Sequence, residues 1–241
     1  MCHSAASTAF PPIGKFVATT GRSFSLAFGD PGERVRIAIL PDIYGPGPFY
    51  QGLATYLAER GAFVHLMDPF HDLGALAVPS RDAAFARRNS VRDRTYVDDF
   101  ERFVRTQRIT GVTGFCLGGL YVFELARRGL PVNLVSLYGF PQGLANDDPL
   151  PVPFDYLDGL SHRHVALFGD KDHSQSPDNF RRLTEIADRT PGFGLHVFPG
   201  SGHGFLSDLD CDDPALVRNA RSALTIVKET MFVPRTNATT F

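Results

Sequence analysis

A chain of 241 residues, 43% of them hydrophobic, is long enough to bury a sizeable core in one large domain. A formal net charge of −2, from 24 basic and 26 acidic residues, gives no electrostatic case for binding nucleic acid or an anionic membrane. No apolar run of roughly eighteen residues is present that could span a bilayer. The start, MCHSAASTAFPP, lacks the basic and apolar segments of a signal peptide, so we predict a cytoplasmic protein.

Cysteines and histidines give no sign of a disulfide framework or a metal site. Cys2 and Cys211 lie in polar terminal stretches without a CxxC or CxxH neighbour. His162 and His164 are the only close histidine pair, and they suit a polar entry into a strand better than a metal site. Cys116 differs from the other cysteines, because it stands among glycines between a predicted strand and a predicted helix.

Strands and helices alternate along the chain after an irregular start. Residues 1–14 predict a flexible arm, and residues 16–20 and 23–28 predict a β-hairpin around Gly21 and Arg22. Short apolar runs then predict strands at 35–40, 63–67, 112–115, 134–137, 165–168 and 195–198. Amphipathic segments predict helices at 49–60, 96–106, 117–128, 178–188 and 214–230, with Asp178 as the cap of its helix.

This alternation predicts an α/β fold in which residues 15–241 form a single domain. Apolar runs with little polar alternation are typical of strands that are buried on both faces of a parallel sheet. We therefore expect a mostly parallel, doubly wound sheet with helices on both faces, preceded by the N-terminal β-hairpin. Ligands bind such sheets beyond the C-terminal ends of the strands, and the motifs below follow predicted strands.

Residues 112–119 predict a strand, a sharp turn and a helix, with Cys116 at the turn. The pattern small-x-nucleophile-x-small matches a nucleophile elbow, with cysteine in place of the more usual serine. Gly114 and Gly118 leave room where strand and helix backbones approach each other. The helix N-terminus favours a thiolate at Cys116, and the amide of Leu117 can face a developing oxyanion. The alternative is a buried structural cysteine at a tight turn.

A cysteine nucleophile needs a base, and the base needs an acid to orient it. In α/β-hydrolases these follow the nucleophile in the order acid, then histidine. Asp170 and Asp172 follow the predicted strand 165–168, and His203 follows the strand 195–198 in a glycine-rich loop. Asp170 competes with Asp172 for the acid role, although it could instead cap the turn. The alternative for His203 is an ordinary histidine in a surface loop.

With these motifs in order, the chain resembles the dienelactone hydrolase family of α/β-hydrolases over nearly its whole length. The family patterns G-x-C-x-G-G, G-x-x-D and G-H-x-F correspond to residues 114–119, 169–172 and 202–205. The resemblance points to Asp172 as the acid and implies a Cys116, His203 and Asp172 triad. It implies hydrolysis of a small ester or lactone through a thioester acyl-enzyme, without a metal or an organic cofactor.

The resemblance also implies a carboxylate after the first parallel strand. The family has a glutamate there in an E-x-x-G setting, and Asp42 begins the corresponding D-I-Y-G of residues 42–45. By resemblance Asp42 contacts the resting thiol, and the amides of Ile43 and Leu117 form the oxyanion hole. The alternative is that Asp42 only ends the strand and binds loop amides.

Substrate contacts are expected from side chains that follow strand ends. Members that open dienelactone carry an arginine shortly after the catalytic histidine, whereas this chain has Leu206 and Ser207 there. A less acidic ester or lactone therefore suits the sequence better. The candidates for substrate contact are Tyr44, Tyr138, Phe205 and Arg81, the last with its neighbours Arg87 and Arg88. The tyrosines could equally be ordinary packing residues, and the arginines could form a solvated helix face.

Two other functions stay open at this point. One is related acyl chemistry in a biosynthetic pathway, such as thioester hydrolysis, acyl transfer or isomerisation, because a fold does not determine a substrate. The other is a non-catalytic homologue that binds a small molecule. In each case we expect a small-molecule partner, and a monomer or a homodimer.

Overall fold

A computed structural model of the chain describes residues 7–10, 24–78 and 80–234. Its strands are β1 (Ser25–Phe28), β2 (Val35–Leu40), β3 (Ala62–Met67), β4 (Gly111–Phe115), β5 (Asn133–Leu137), β6 (His164–Gly169) and β7 (Phe193–Phe198). Its α-helices are α1 (Pro48–Ala58), α2 (Arg81–Asn89), α3 (Asp93–Thr106), α4 (Leu117–Arg127), α5 (Pro177–Arg189) and α6 (Pro214–Phe232). Short 3₁₀ helices lie at Pro153–Asp155, Leu157–Gly159 and Phe205–Asp210.

The described strands form one sheet in the order β1-β3-β2-β4-β5-β6-β7. β1 runs antiparallel to β3, and every other neighbouring pair is parallel. β3 lies on one side of β2, and β4 to β7 follow in chain order on its other side. The predicted mostly parallel, doubly wound sheet is thus confirmed, and β2 and β4 meet where the direction of winding reverses, the usual place for a ligand.

Different helices cover the two faces of the sheet, and the pleat of β2 shows this directly. Ile37 and Ile39 pack into the layer that contains α1 and α6, whereas Ala38 and Leu40 pack into the layer of α3 and α4. All four side chains are fully buried, which explains why the strand has no polar alternation. Within the described ranges, no helix combines the length and the apolar character needed to cross a membrane.

The structure describes the predicted hairpin only in part, and α2 differs from the sequence-based expectation. Residues 16–20 lie outside the described residues, and of the segment 23–28 the strand Ser25–Phe28 pairs with β3. The sequence does not predict α2, because only Ala84 and Arg88 are buried in that helix. A helix with so narrow a buried face has no apolar stripe to recognise.

The cap of α5 is Ser176, and the prediction of Asp178 as the cap was wrong. The Ser176 side chain accepts a hydrogen bond from the N–H of Asn179 at 3.2 Å. Pro177 takes the first helical position, so Asp178 falls inside the first turn. Its negative charge still stabilises the helix there by interacting with the helix dipole.

The described part of the predicted arm is anchored rather than loose. The Asp210 carboxylate accepts hydrogen bonds from the Ser7 hydroxyl, from the amide and hydroxyl of Thr8 at 2.8 and 2.9 Å, and from the Ala9 amide at 2.9 Å. Phe10 is buried against α1. These contacts fasten residues 7–10 to the 3₁₀ helix that ends at Asp210, while residues 1–6 and 11–14 lie outside the described residues.

Candidate active site

Cys116 occupies a sharp turn between β4 and α4. Its backbone has φ 55° and ψ −110°, a positive φ that residues with a side chain rarely adopt. The residue is 4% exposed, and its N–H donates to the carbonyl of Leu137 at 3.0 Å. The turn therefore holds the thiol at the C-terminal edge of the sheet.

Two glycines make this turn possible. A Cβ atom on Gly114 would lie 2.1 Å from the carbonyl oxygen of Gly118, and a Cβ atom on Gly118 would lie 2.2 Å from the carbonyl oxygen of Leu40. Such distances are far below van der Waals contact, so either side chain would push β4, α4 and β2 apart. The small residues that the sequence pattern contains are thus required by the close approach of three backbones.

The amides of Leu117 and Ile43 come from neighbouring strand ends. Leu117 begins α4, so its N–H is one of the free amides at the positive end of that helix. Ile43 follows β2, and the N–H of Gly118 donates to the carbonyl of Pro41 at 3.2 Å, which joins the two loops. Among the described residues, neither amide donates to another residue. An oxyanion hole at Cys116 would need donors in this position.

His203 and Asp172 are hydrogen-bonded partners. Nδ1 of His203 lies 2.9 Å from Oδ2 of Asp172, and the two side chains are 7% and 0% exposed. A carboxylate only accepts, so Nδ1 carries the proton and Nε2 is left as the base. Burial raises the pKa of Asp172, but the hydrogen bond and charge of His203, together with the donors of Ser174, outweigh it and lower the pKa. Asp172 is therefore ionised at neutral pH.

Aromatic rings connect His203 to the elbow. The Tyr138 ring lies 5.2 Å from the His203 ring and 6.1 Å from the ring of Phe115, the residue before Cys116. Phe205 packs against Tyr138 at 5.7 Å. Tyr138 and Phe205 are both buried, and the contact of Tyr138 with the imidazole is the kind that the packing alternative for this tyrosine expects. Substrate contact by either residue stays a prediction.

Asp170 and His173 flank the acid on the same loop. Oδ1 of Asp170 accepts a hydrogen bond from the N–H of Gly200 at 2.7 Å, so this carboxylate caps the turn between two strand ends. His173 is exposed, with its ring 6.0 Å from that of His203. The carboxylate that contacts His203 is thus the second of the two candidates.

Ser174 and Gln175 belong to the site, although the sequence does not reveal them. The amide and the hydroxyl of Ser174 both donate to Oδ1 of Asp172, at 2.8 and 2.6 Å. Nε2 of Gln175 donates to the carbonyl of Gly139 at 3.1 Å, which ties the acid loop to the end of β5. A polar residue that follows a candidate acid is the only sequence signal that could have pointed to them.

Asp42 is fully buried at the end of β2. Its Oδ1 accepts from the N–H of Tyr44 at 2.8 Å, and its Oδ2 accepts from the Tyr50 hydroxyl at 3.0 Å. The bond to Tyr44 is the loop contact that the structural alternative expects. The bond to Tyr50 has no sequence signal, because Tyr50 lies within α1. Contact between Asp42 and the thiol stays a prediction.

α2 brings Arg87, one of the three arginines that the sequence analysis names, to the loop after β2. Arg81 is exposed, and its guanidinium lies 5.4 Å from the ring centroid of Phe85 on the same helix. Arg87 donates through Nη2 to the carbonyls of Ile43 and Tyr44, at 3.2 and 3.1 Å. Arg87 therefore braces the loop that holds the Ile43 amide. A substrate contact of Arg81 stays a prediction, and the contact described for it is with Phe85.

A sequence model of the "Dienelactone hydrolase family" matches residues 36–231, a span that includes both strand-end loops, the elbow and the His203–Asp172 pair. The chain belongs to the dienelactone hydrolase family. This confirms the resemblance that the three motifs indicate. The protein is accordingly a carboxylic ester hydrolase of the dienelactone hydrolase type.

Two relatives of this dienelactone hydrolase family member can be aligned with most of its length. "Carboxymethylenebutenolidase 2" of Cupriavidus pinatubonensis (strain JMP 134 / LMG 1197) is 46% identical over 232 residues, 96% of this chain and 99% of that protein. "Carboxymethylenebutenolidase" of Rhodococcus opacus is 32% identical over 223 residues, 87% of each chain.

A solved structure shows the same fold. The crystal structure of a protein from Klebsiella pneumoniae subsp. pneumoniae MGH 78578, assigned as a dienelactone hydrolase, has a TM-score of 0.72 to this chain at 17% identity. The match covers 85% of this chain and 92% of that one. The α/β-hydrolase fold is thereby confirmed.

Proposed function

We propose that this chain opens a small lactone, or cleaves a small ester, through a thioester formed on Cys116. The observation that carries the proposal is the strained backbone of Cys116 at the N-terminus of α4. Such strain persists only where the surrounding structure imposes it, and it is typical of a nucleophile elbow. The names of the two carboxymethylenebutenolidases describe enzymes that act on a butenolide, and this supports a lactone as the substrate class.

The first half of the proposed reaction transfers the acyl group to sulfur. The Cys116 thiol gives its proton to Nε2 of His203, and the thiolate adds to the carbonyl carbon of the lactone. The resulting oxyanion accepts hydrogen bonds from the amides of Leu117 and Ile43. When the ring C–O bond breaks, the leaving oxygen takes the proton from His203, and the open acyl chain remains on the sulfur as a thioester.

The second half returns the enzyme to its starting state. His203 takes a proton from water, and the hydroxide adds to the thioester carbonyl. Collapse of this second oxyanion releases the carboxylic acid and the thiolate, and the thiolate takes the proton from His203 to restore the thiol. The hydrogen bond from Nδ1 to Asp172, 2.9 Å long, stabilises the protonated imidazole in both halves. Besides the acyl-enzyme, this half consumes one water molecule.

Hydrolysis rates of dienelactone and of a neutral aryl acetate test this proposal. We expect Cys116→Ala to lower kcat/KM at least about a thousandfold, because no other group on the elbow can form the acyl intermediate. Cys211→Ala is the matched control: its thiol lies near the start of α6, 3.6 Å from the carbonyl of Asp213, and its loss should leave the rate unchanged.

Each half of the proposal can fail separately. Undiminished hydrolysis by the Cys116→Ala variant would contradict the thioester. A wild-type preference for the aryl acetate over every lactone tested would leave an ester hydrolase and contradict the lactone. Mass spectrometry of the products would show acyl transfer or isomerisation, in place of addition of water, if the related acyl chemistry is the true activity.

A further inference from the structure

Ser174 contacts both members of the His203–Asp172 pair. Its hydroxyl oxygen lies 2.6 Å from Oδ1 of Asp172 and 3.2 Å from Nδ1 of His203. Its amide adds a second hydrogen bond to the same Oδ1 at 2.8 Å. Two donors of Ser174 therefore hold Oδ1, while Oδ2 accepts a hydrogen bond from the imidazole at 2.9 Å.

Gln175 sets the direction of the Ser174 hydroxyl. Its Nε2 lies 3.2 Å from the Ser174 oxygen, and an amide nitrogen can only donate. Nε2 also donates to the carbonyl of Gly139 at 3.1 Å, and Oε1 accepts from Asn179 at 3.2 Å, so the orientation of the buried amide is fixed. Because the Ser174 oxygen accepts from Gln175, its own single proton is directed to Asp172.

The backbone of Ser174 is held as well. Nε2 of Gln142 donates to the Ser174 carbonyl at 3.0 Å, from the loop that follows β5. Ser174 is thus fastened through its carbonyl, its amide and its hydroxyl. From this fixed position the amide and the hydroxyl of Ser174 both reach the same carboxylate oxygen of Asp172.

We propose that Ser174 is a positioning residue that acts on the reaction through Asp172 and His203, with Gln175 fixing the direction of its hydrogen bond. Anchoring Oδ1 keeps the carboxylate from rotating, so Oδ2 stays aligned with Nδ1, and the lone pair that accepts a proton stays on Nε2. A base that is already held in the reactive orientation transfers protons faster than a base that must first rotate into that orientation. This inference rests on the proposed function, because it assigns His203 as the base.

Steady-state kinetics of Ser174→Ala is the first test. We expect kcat to fall about tenfold, as for loss of a hydrogen bond to a charged group, with KM unchanged within about twofold. Ser174→Thr keeps the hydroxyl and should restore most of kcat. Ser176→Ala is the matched control, since Ser176 caps α5 through Asn179 and touches neither His203 nor Asp172, and it should leave kcat unchanged.

The proton on Nδ1 of His203 gives a readout that needs no substrate. A hydrogen bond to a buried carboxylate moves the proton NMR signal of Nδ1–H far downfield, and its disappearance in His203→Gln assigns it. We expect this signal to broaden and move upfield in Ser174→Ala and, by a smaller amount, in Gln175→Met. In Ser176→Ala and Cys116→Ala it should stay in place.

The two proposals fail in different ways. An unchanged Nδ1–H signal and an unchanged kcat in Ser174→Ala would overturn the positioning role, whatever Cys116→Ala does. Full activity of Cys116→Ala would overturn the thioester, and the NMR comparison would still decide whether Ser174 orders the pair. A loss of kcat that Ser174→Thr fails to restore, with the NMR signal unmoved, would also contradict the role of the hydroxyl.

Discussion

Two buried carboxylates follow the C-terminal ends of strands, Asp42 after β2 and Asp172 after β6, and they have different hydrogen-bond partners. Asp172 acts through His203, to which it is bonded at 2.9 Å. Asp42 ends the strand beside β4, and Tyr44 and Tyr50 hold its two oxygens. A carboxylate close to a thiol disfavours the thiolate, because two like charges would then lie together. Asp42 would in that case keep the resting enzyme unreactive.

Asp42→Asn tests this by the pH dependence of thiol alkylation. If the carboxylate contacts the thiol, its removal should shift the midpoint of iodoacetamide labelling of Cys116 to lower pH, by about half a unit or more. Labelling is followed by mass spectrometry of the peptide that contains residue 116. Asp170→Asn is the control, since Asp170 bonds to Gly200 at a different turn. Identical profiles for wild type and Asp42→Asn would leave Asp42 as a residue of the loop alone.

At the scale of secondary-structure elements, the site depends on how closely β4, its turn and α4 approach β2. The Gly118 amide bonds to Pro41, and a Cβ atom there would lie 2.2 Å from the carbonyl oxygen of Leu40. The same contact places the loop that contains Ile43 beside the elbow. The spacing of two elements thus determines the distance between the two amides of the predicted oxyanion hole.

We expect Gly118→Ala to lower both stability and activity. The added methyl group must push α4 away from β2, which should cost about 2 kcal/mol or more of the free energy of unfolding. The displaced amides should lower kcat at least about tenfold. Urea denaturation and hydrolysis rates measure the two effects. In the control, Gly159→Ala, the new Cβ atom would meet nothing within 4 Å, and both quantities should stay near wild type.

The molecule as a whole carries two histidines that the proposed reaction does not use. Burial lowers the pKa of His65 to about 4, helped by the charge of Arg36, and burial lowers the pKa of His164 to about 4. His164 lies between aromatic rings of the layer that covers β6, with Phe193 at 4.8 Å. Both imidazoles are therefore neutral in the folded protein at pH values where the unfolded chain would protonate them.

This difference predicts a loss of stability in mild acid. Between pH 6.5 and 4 the unfolded chain binds protons that the folded protein excludes, so stability falls as the pH falls, by up to about 1.4 kcal/mol per pH unit for each histidine. His164→Phe should flatten the curve of unfolding free energy against pH by about one such contribution. Urea denaturation at a series of pH values measures it.

A variant that changes only packing distinguishes the effect of histidine protonation on stability from the effect of lost apolar contacts. Leu183→Ala in the same layer removes apolar contacts only, so it should lower stability by about 3 kcal/mol at every pH without changing the slope. Burial also raises the pKa of Asp68 and of Asp93, and these carboxyls act in the opposite direction, equally in wild type and variants. An unchanged slope in His164→Phe would show that His164 takes up a proton in the folded state.

The separation along the sequence of the residues that interact explains which features the sequence predicts. The six parallel strands follow from short apolar runs, and the elbow follows from Gly114, Cys116 and Gly118, because these signals lie within a few residues of one another. α2 is missed because its buried face is too narrow to leave a pattern.

Contacts between distant segments account for the rest of what the sequence does not predict. Tyr50 reaches Asp42 from a helix, and Arg87 reaches the Ile43 carbonyl from 44 residues away. Ser174 is close to Asp172 in sequence, but the direction of its hydroxyl depends on Gln175, which is itself held by Gly139. No local sequence pattern indicates these contacts, because they form only when the sheet has brought the strand ends together.

The contact between Ser7 and Asp210 joins residues that are 203 positions apart. A ribosome that adds about 5–20 residues per second needs roughly 10–40 seconds to cover that distance, so residues 7–10 must wait for their acceptor while the sheet forms. Residues 7–10 are therefore fastened only after the segment that contains Asp210 has been made. They are fastened to the 3₁₀ helix that begins two residues after His203, so the neighbourhood of the proposed base is completed by a segment made long before the base itself.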